Sequence, residues 1–170
     1  GLKTGKVYYY KICSYDGSVS SDFSEAAFCA PVPAPVCGLR CAVSSPTSVR
    51  LSWKKPKGGS GYEIWRSRFS DTGYAKIGST KGTKYTDKGL IPGVTYYYKV
   101  RAYCKSGKTI VPGDFSEYTA LATFIPAVRN FKAAPKGAVS VELKWNSVPE
   151  KTGYEIWRSY SQEDGFSFVK

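Results

Sequence analysis

A heptapeptide that occurs twice is the feature that most constrains the fold of this chain. Gly61-Tyr-Glu-Ile-Trp-Arg-Ser67 returns unchanged as residues 153–159, at an offset of 92 residues. Asp22-Phe-Ser-Glu25 returns at the same offset, and Tyr8-Tyr-Tyr-Lys11 returns as residues 96–99 at an offset of 88. Self-similarity at a fixed period indicates a tandem array. We therefore predict one whole repeat with part of a repeat on either side.

Within a repeat, the hydrophobic periodicity is that of β-strands. Val139-Ser-Val-Glu-Leu-Lys-Trp145 alternates apolar and polar residues without interruption, as a half-buried strand does. Turn residues separate seven such segments, over 39–43, 49–53, from 62, 74–78, 84–86, 94–104 and 115–124. This pattern predicts an all-β, immunoglobulin-like sandwich of seven antiparallel strands, present as a tandem array cut out of phase. The middle copy has four more residues between Tyr103 and Asp114 than the first copy, which predicts a surface loop there.

The composition argues against an enzyme. The chain contains no His, the residue that most often serves as general base or metal ligand. No pair of acids and no phosphate-binding glycine loop stands out, so we predict no catalytic residue, no metal site and no cofactor. No apolar run approaches the ~20 residues of a membrane helix, so no membrane span is expected. Gly1 in place of Met predicts that the chain was cut from a longer protein.

One segment resembles a family signature. Leu90-Ile-Pro-Gly-Val-Thr-Tyr96, followed by Val100 and Ala102, is similar to the Leu-x-Pro-Gly-x-x-Tyr-x-x-x-Val-x-Ala signature of fibronectin type III domains. In that family the Tyr hydroxyl satisfies the backbone of the preceding turn, an arrangement called the tyrosine corner. The resemblance implies that such corners are formed by Leu90, Pro92 and Tyr96 and by Leu2 and Tyr8, the latter with Thr4 where the signature has Pro.

The resemblance extends to the core and to the kind of parent protein. Trp53 and Trp145 match the core Trp of the family, and they share the offset of 92 residues. The repeated heptapeptide, followed by Tyr85-Thr-Asp-Lys-Gly-Leu90, resembles the subtype found in large repetitive surface proteins of Gram-positive bacteria. An extracellular or cell-surface location is therefore expected.

Proline-rich junctions divide the chain into three parts. Ala30-Pro-Val-Pro-Ala-Pro-Val36 predicts a stiff, extended linker, and Ile125-Pro-Ala127 a shorter junction. Residues 1–30, here called the head, then supply strands F and G of one domain. Residues 31–126 form a complete domain, and residues 127–170, the tail, supply strands A, B, C and the start of C′ of a third. Either these ends only reflect where the chain was cut, or the head of one molecule completes the tail of another by strand complementation.

The outer face of the long aromatic strand is a candidate binding surface. Alternation turns residues 96, 98, 100 and 102 inward, so the residues between them point outward beside Trp65. Aromatic rings interleaved with cations can stack on sugars or hold an anionic polymer. Alternatively, they form cross-strand pairs that stabilise a solvated sheet. The candidate residues of this face are Trp65, Tyr97, Lys99, Arg101 and Tyr103.

Charge is concentrated in the middle of the chain. Residues 35–126 contain 15 Lys and Arg against 5 Asp and Glu, and three of these lysines cluster in Lys54-Lys-Pro-Lys57. No recognition helix or zinc-finger pattern accompanies the charge, so no nucleic-acid partner is predicted. Glycans or anionic wall polymers are better candidates, and simple solubility is the alternative.

The five cysteines leave at least one thiol unpaired within the chain. Cys29 and Cys37 flank the linker, and Cys104 ends the long strand near the point where the chain enters the complete domain. We expect a disulfide between Cys37 and Cys104 first, or between Cys29 and Cys37 second, which would suit an oxidising compartment. Unpaired thiols are the alternative.

Taken together, these features predict a non-enzymatic extracellular stalk, spacer or fibre element with a structural or adhesive role. Its partners would be neighbouring repeats or identical chains. The alternative is an accessory module that binds carbohydrate or an anionic wall polymer for a larger secreted enzyme.

Overall fold

The computed structural model describes residues 1–106, 108–148 and 151–170, and none of these residues is helical. The described residues therefore contain no helix that could cross a membrane. The chain divides into two compact units, Gly1–Thr123 and Phe124–Lys170. All of its sheets are antiparallel, so the all-β prediction is confirmed.

The complete domain is a two-layered sandwich. One sheet contains three strands in the order β3-β4-β7, and the other is ordered β10-β8-β5-β6 with β9 also paired to β8. Three of the pairs, β4 with β7, β5 with β8 and β8 with β10, join strands that are not consecutive in the sequence, as expected for Greek-key connections. The strands are β3 (Cys37–Ser45), β4 (Ser48–Lys54), β5 (Gly61–Ser67), β6 (Ala75–Thr80), β7 (Lys84–Lys88), β8 (Thr95–Ser106), β9 (Thr109–Phe115) and β10 (Thr119–Ala122).

The core lies between the two sheets and follows the predicted alternation. The Trp53 and Tyr62 rings pack edge to face with their centroids 5.2 Å apart, a favourable geometry for aromatic pairs. The inward positions of the long strand β8 are all buried, as are the apolar positions of β4 and β5. The buried core cluster comprises Val36, Val49, Leu51, Trp53, Tyr62, Ile64, Leu90, Tyr96, Tyr98, Val100 and Ala102.

The last part of the domain differs from the sequence prediction. A single strand was expected over residues 115–124, but β9 and β10 are separate strands. Ser116 interrupts the ladder because its hydroxyl accepts a hydrogen bond from the Val100 N–H (3.1 Å), and its own N–H donates to the Val100 carbonyl (2.8 Å). The four-residue insertion was predicted to be a loop. Part of it instead belongs to β9, which pairs with β8 from Arg101 to Ser106.

The remaining strands form three short hairpins. In the head, β1 (Tyr8–Tyr10) pairs with β2 (Ala27–Cys29). In the second unit, β11 (Lys132–Gly137) pairs with β12 (Ser140–Lys144), and β13 (Trp157–Arg158) pairs with β14 (Ser167–Phe168). The assignment of head and tail to parts of two further repeats stays a prediction.

Candidate functional site

The residues predicted as a binding face lie on one side of the five-stranded sheet. The register of β5 and β8 places Trp65 opposite Lys99 and Gly61 opposite Tyr103. Tyr97 lies at the other end of the row, about 20 Å from Tyr103 at the usual rise of a strand. Each of the five side chains is half-buried rather than exposed. The five side chains therefore form a continuous row, but each is partly covered by other side chains.

Arg101 occupies the surface that a ligand would need in order to stack on Trp65. Its guanidinium lies 5.3 Å from the centroid of the Trp65 ring and 4.8 Å from that of Phe115. The two rings pack edge to face at 5.5 Å, and the Arg101 Nε donates to Glu63 Oε2 at 2.7 Å. The cation–π contacts and the ion pair together hold the Arg101 guanidinium in place. The side chains of this face therefore pack against one another.

The rest of the row is engaged in the same way. The Lys99 ammonium lies 4.5 Å from the centroid of the Tyr74 ring. The Tyr97 ring packs edge to face against Tyr118 at 5.6 Å. Tyr103 lies over Gly61, where an added Cβ would overlap the Tyr103 ring. These contacts agree with the cross-strand alternative that the sequence leaves open.

Glu63 is the residue of this face that the sequence analysis missed. It is buried and accepts from both Lys76 Nζ (2.5 Å) and Arg101 Nε (2.7 Å). Burial alone would raise the pKa of Glu63, but the hydrogen bonds and charges of Lys76 and Arg101 outweigh it and hold the pKa below its usual value. The two-residue period puts Glu63 on the same face as Trp65 but does not show which cations reach its carboxylate.

The equivalent positions in the head and in the tail are more exposed. Trp157, the equivalent of Trp65, is 52% exposed and packs against Phe168 with ring centroids 5.7 Å apart. Tyr9, the equivalent of Tyr97, is 73% exposed and contacts Phe28 at 5.8 Å. A ring pair thus occurs at the equivalent position in all three parts of the chain.

Both predicted tyrosine corners are formed. The Ile91 N–H donates to Tyr96 Oη at 3.0 Å, and the Lys3 N–H donates to Tyr8 Oη at 2.7 Å. Leu90 and Pro92 are buried in the complete domain, whereas Leu2 in the head is exposed. The corner is thus a local structure that forms even where no complete sandwich encloses it.

Beside the complete domain's corner lies a buried polar cluster. Arg66 donates from Nη1 to both oxygens of Asp87, at 3.2 and 2.9 Å, and the Tyr98 hydroxyl donates to Asp87 Oδ2 at 3.0 Å. Burial and the Asp87 charge raise the pKa of Tyr98, so its hydroxyl stays protonated. The cluster ties the edge strand β7 to the opposite sheet.

A second site lies where the head meets the complete domain, and we call it the repeat joint. It consists of the turn of residues 4 and 5, the linker of residues 31–34, the loop of the complete domain around Gly58 and the part of β9 around Gly113. The Gly5 N–H donates to the Pro31 carbonyl at 2.7 Å, and the Ala34 N–H donates to the Lys57 carbonyl at 3.1 Å. Backbone hydrogen bonds therefore fix the linker to both sides of the joint.

Glycines allow the close approach of chain segments in the joint. A Cβ on Gly58 would lie 2.5 Å from Thr4 Oγ1, and a Cβ on Gly113 would lie 2.6 Å from the carbonyl oxygen of the fully buried Pro33. Gly5 has a φ of +77°, and its Cβ would lie 2.6 Å from Cys104 Sγ. Such distances leave no room for a side chain.

The joint also explains why the predicted disulfide is wrong. Cys29, Cys37 and Cys104 are all free, as are Cys13 and Cys41. Cys104 is buried against Gly5, and its thiol donates to the Val111 carbonyl at 3.6 Å, whereas Cys29 and Cys37 are exposed. Burial raises the pKa of the Cys104 thiol. The head and the complete domain are therefore joined by packing at the repeat joint and not by a disulfide among these cysteines.

Across the three described stretches of the chain, no group of three or more Cys, Asp and Glu side chains is arranged to hold a metal ion. The two candidate sites are therefore the sheet face, whose side chains pack against one another, and the repeat joint. Neither brings a nucleophile and a base together.

An antiparallel sandwich with a tyrosine corner and a core Trp defines a module of the immunoglobulin-like class. The family described as "Fibronectin type III domain" matches residues 33–117, which is half of the chain. The chain belongs to this family, whose members are generally non-catalytic modules.

Three bacterial enzymes contain similar sequences. Exoglucanase B of Cellulomonas fimi is 27% identical over 134 residues, which covers 71% of this chain and 12% of the enzyme. Poly(3-hydroxybutyrate) depolymerase of Ralstonia pickettii is 42% identical over 65 residues, covering 38% of this chain and 12% of the enzyme. Alpha-amylase of Niallia circulans is 36% identical over 94 residues, covering 54% of this chain and 6% of the enzyme. The chain thus spans only a small part of each relative.

Among solved structures, an Fn3-like protein from Clostridium thermocellum is 30% identical. The match covers 52% of this chain and 88% of that protein, with a TM-score of 0.45.

Proposed function

We propose that this chain is a non-catalytic spacer segment of an extracellular tandem array, in which docked joints hold successive repeats at a fixed angle. The observation that carries the proposal is the repeat joint. Contacts between neighbouring domains of one chain are often small and allow motion. Here a proline-rich linker, two backbone hydrogen bonds and three glycine close approaches occupy one short junction.

The joint restrains both ends of the linker. Pro31 is bonded to the head through Gly5, while Ala34 is bonded to the complete domain through Lys57. Pro33 is fully buried between these two points. A linker that is hydrogen-bonded at both ends and has a buried residue between them does not act as a flexible tether. It transmits the orientation of one repeat to the next, which is what a stalk or spacer needs.

The sheet face supports the same function. A surface evolved for stacking on sugars presents open rings, but Trp65 is covered by Arg101 and Phe115. The cations of the face are likewise paired with Tyr74 and Glu63. The face is therefore suited to stiffening the sheet. An extracellular or surface location, of the kind seen in Gram-positive repeat proteins, and an adhesive role of the whole array are parts of this proposal.

Nuclear magnetic relaxation of backbone amides tests the spacer function directly. If the joint is rigid, amides of β1 and β2 share one rotational correlation time with amides of β3 to β8. A head that tumbles separately, with a shorter correlation time than the complete domain, would refute the rigid spacer. The measurement needs only isotope-labelled chain at a concentration where it is monomeric.

A second function is favoured by the named relatives. Exoglucanase B, poly(3-hydroxybutyrate) depolymerase and alpha-amylase are enzymes named for polymers, so this chain would be an accessory module of a larger secreted enzyme. Its ligand would be a glycan, another insoluble polymer or an anionic wall polymer, held at Trp65 and its neighbours. Insoluble cellulose, starch and poly(3-hydroxybutyrate) are suitable probes, with Trp65→Ala as the test variant and Phe69→Ala as the control. Saturable binding lost only in Trp65→Ala would establish this function in place of a pure spacer.

A further inference from the structure

A small polar hollow of about 270 Å³ lies in the complete domain, at the end of β5 remote from the repeat joint. Its lining includes Arg66, Arg68, the buried Tyr96 and two glycines, Gly73 and Gly89. Among the described residues of this lining, two are cationic and none is acidic. Pockets for drug-sized ligands usually measure roughly 300–1,000 Å³. The hollow is therefore suited to a small anionic group.

The two guanidinium groups converge on one aromatic ring. The guanidinium carbon of Arg66 lies 5.3 Å from the centroid of the Tyr96 ring, and that of Arg68 lies 6.0 Å from the same centroid. The ring is fixed, because Tyr96 is only 3% exposed and its hydroxyl accepts a hydrogen bond from the Ile91 N–H. Cation–π attraction to this ring therefore holds both positive charges beside the hollow.

Among the residues that the structure describes, only one of these arginines has an acidic partner. Asp87 accepts from Arg66 Nη1 at 3.2 and 2.9 Å, and it does not line the hollow. Asp71 follows Arg68 in the same loop, but its carboxylate accepts from Ser70 Oγ at 2.7 Å and likewise does not line the hollow. Two like charges at one ring repel each other. An anion bound between them would relieve this repulsion.

The loop that carries Arg68 is held by its own hydrogen bonds. Ser67 is buried, and its Oγ donates to the Thr72 carbonyl at 2.5 Å and accepts from the Phe69 N–H at 2.9 Å. Both hydrogen bonds close the turn around the exposed Arg68. A ligand therefore meets a backbone that is already ordered, which lowers the entropic cost of binding.

Comparison with the tail shows that this turn does not require the second arginine. Ser159, the equivalent of Ser67, donates to the Asp164 carbonyl at 2.5 Å and accepts from the Ser161 N–H at 2.9 Å. The residue that follows it is Tyr160, where the complete domain has Arg68. The same turn thus forms with either residue, so the structure of the loop does not account for the cation.

We propose that Arg66 and Arg68 together bind a phosphate group, either as the free ion or within a phosphodiester. Arg66 uses only Nη1 for Asp87, which leaves its Nη2 for a ligand. Guanidinium groups match phosphate oxygens in geometry. The oxygens of a phosphate point in tetrahedral directions, so two guanidinium groups that approach from different sides can each bond to different oxygens. A planar carboxylate offers only two oxygens.

This site is separate from the sheet face described above. Arg66 follows Trp65 directly in β5, and successive residues of a strand point to opposite faces of the sheet. Phosphate binding here therefore requires neither a rigid repeat joint nor a ligand at Trp65, and its test is independent of both functions proposed for the chain.

Nuclear magnetic resonance titration of the full chain with sodium phosphate tests the proposal, with sodium chloride at equal ionic strength as the reference. Saturable shifts are expected for amides of residues 67–73 and 89–91. Arg68→Gln should weaken binding by about 10- to 100-fold, because it removes charged hydrogen bonds. Arg68 is exposed, so this variant should keep the amide spectrum of β8. Arg40→Gln, which removes an exposed arginine outside the hollow, should bind phosphate like the unmodified chain.

Two further probes separate the sources of the phosphate group. Dimethyl phosphate represents a polymer linkage, and acetate represents a carboxylate. Binding of both phosphate and dimethyl phosphate would support a site that accepts a phosphodiester, whereas binding of phosphate alone would support a site for the free ion. The proposal would be overturned if neither phosphate probe produced saturable shifts, if acetate bound as tightly as phosphate, or if Arg68→Gln bound phosphate as well as Arg40→Gln.

Discussion

Replacement of Gly5 by Ala tests the repeat joint at its tightest point. The new Cβ would lie 2.6 Å from Cys104 Sγ and 3.3 Å from Cys104 Cβ. Two costs arise, and they act on different equilibria. The positive φ of +77° disfavours Ala by about 1–2 kcal/mol, and this cost persists whether the joint is closed or open. The overlap with Cys104 costs a further ~1–3 kcal/mol, and opening the joint relieves it.

Only the second cost shifts the joint towards the open form. A difference of ~1–3 kcal/mol corresponds to a population change of about 5- to 150-fold. Cys104 is buried in the closed joint, so its rate of alkylation reports the open fraction. Labelling of the native chain with a maleimide, followed by peptide mass spectrometry, separates Cys104 from the exposed Cys13, Cys29 and Cys37. We expect Cys104 labelling to accelerate by about 5- to 150-fold in Gly5→Ala.

Gly17→Ala is the matched control. Gly17 also has a positive φ, +98°, but a Cβ there would meet nothing within 4 Å. Its backbone cost is similar, so any difference between the two variants reports the contact with Cys104. Equal labelling rates of Cys104 in both variants would show that the joint is not closed in solution, and the spacer function would lose its main support.

Three further predictions concern the complete domain. Tyr96→Phe leaves the Ile91 N–H without its acceptor and should lower the free energy of unfolding by about 1–2 kcal/mol in urea titrations. Tyr8→Phe, whose corner is exposed, should lower it less, and an equal loss in the two variants would contradict the role of burial. Asp87→Asn leaves Arg66 without its ion pair and should cost about 2 kcal/mol, below the range for fully buried pairs because the Arg66 side chain is 31% exposed; an unchanged urea midpoint would refute it. Because folding lowers the pKa of Glu63 below its ordinary value of 4.5, the stabilisation is present above that value and lost as the pH falls through the folded pKa. Unfolding titrations between about pH 6 and pH 3 should therefore show a smaller acid loss in Glu63→Gln than in the unmodified chain, and identical curves would contradict the assignment.

The fold was accessible from the sequence because its signals are local. Alternation places Val49, Leu51 and Trp53 on one face, and a sheet buried on one side requires that pattern. The corner depends on a hydrogen bond between Ile91 and Tyr96, only five residues apart. Such short-range patterns survive in a single sequence.

The errors arose where two distant segments meet. The disulfide prediction ignored Gly5, which lies against the buried Cys104 thiol. The split between β9 and β10 depends on the Ser116 hydroxyl replacing a backbone group of the ladder, and serine in a strand gives no such signal. Glu63 was overlooked because its partners, Lys76 and Arg101, are 13 and 38 residues away. Contacts of this kind depend on the register of the sheets, which periodicity alone does not provide.

The repeat joint consists largely of backbone groups and of positions that lack a side chain. Its hydrogen bonds run between main-chain atoms of Gly5, Pro31, Ala34 and Lys57. Most side chains of a repeat can therefore diverge after duplication without altering how it meets its neighbour. Replacement of the glycine at position 5, 58 or 113 would alter the joint, because a Cβ there would overlap a neighbouring atom. When a repeat is duplicated, the angle between neighbouring repeats is thus kept while the exposed side chains change. Each copy can therefore evolve a different surface on the same backbone joint.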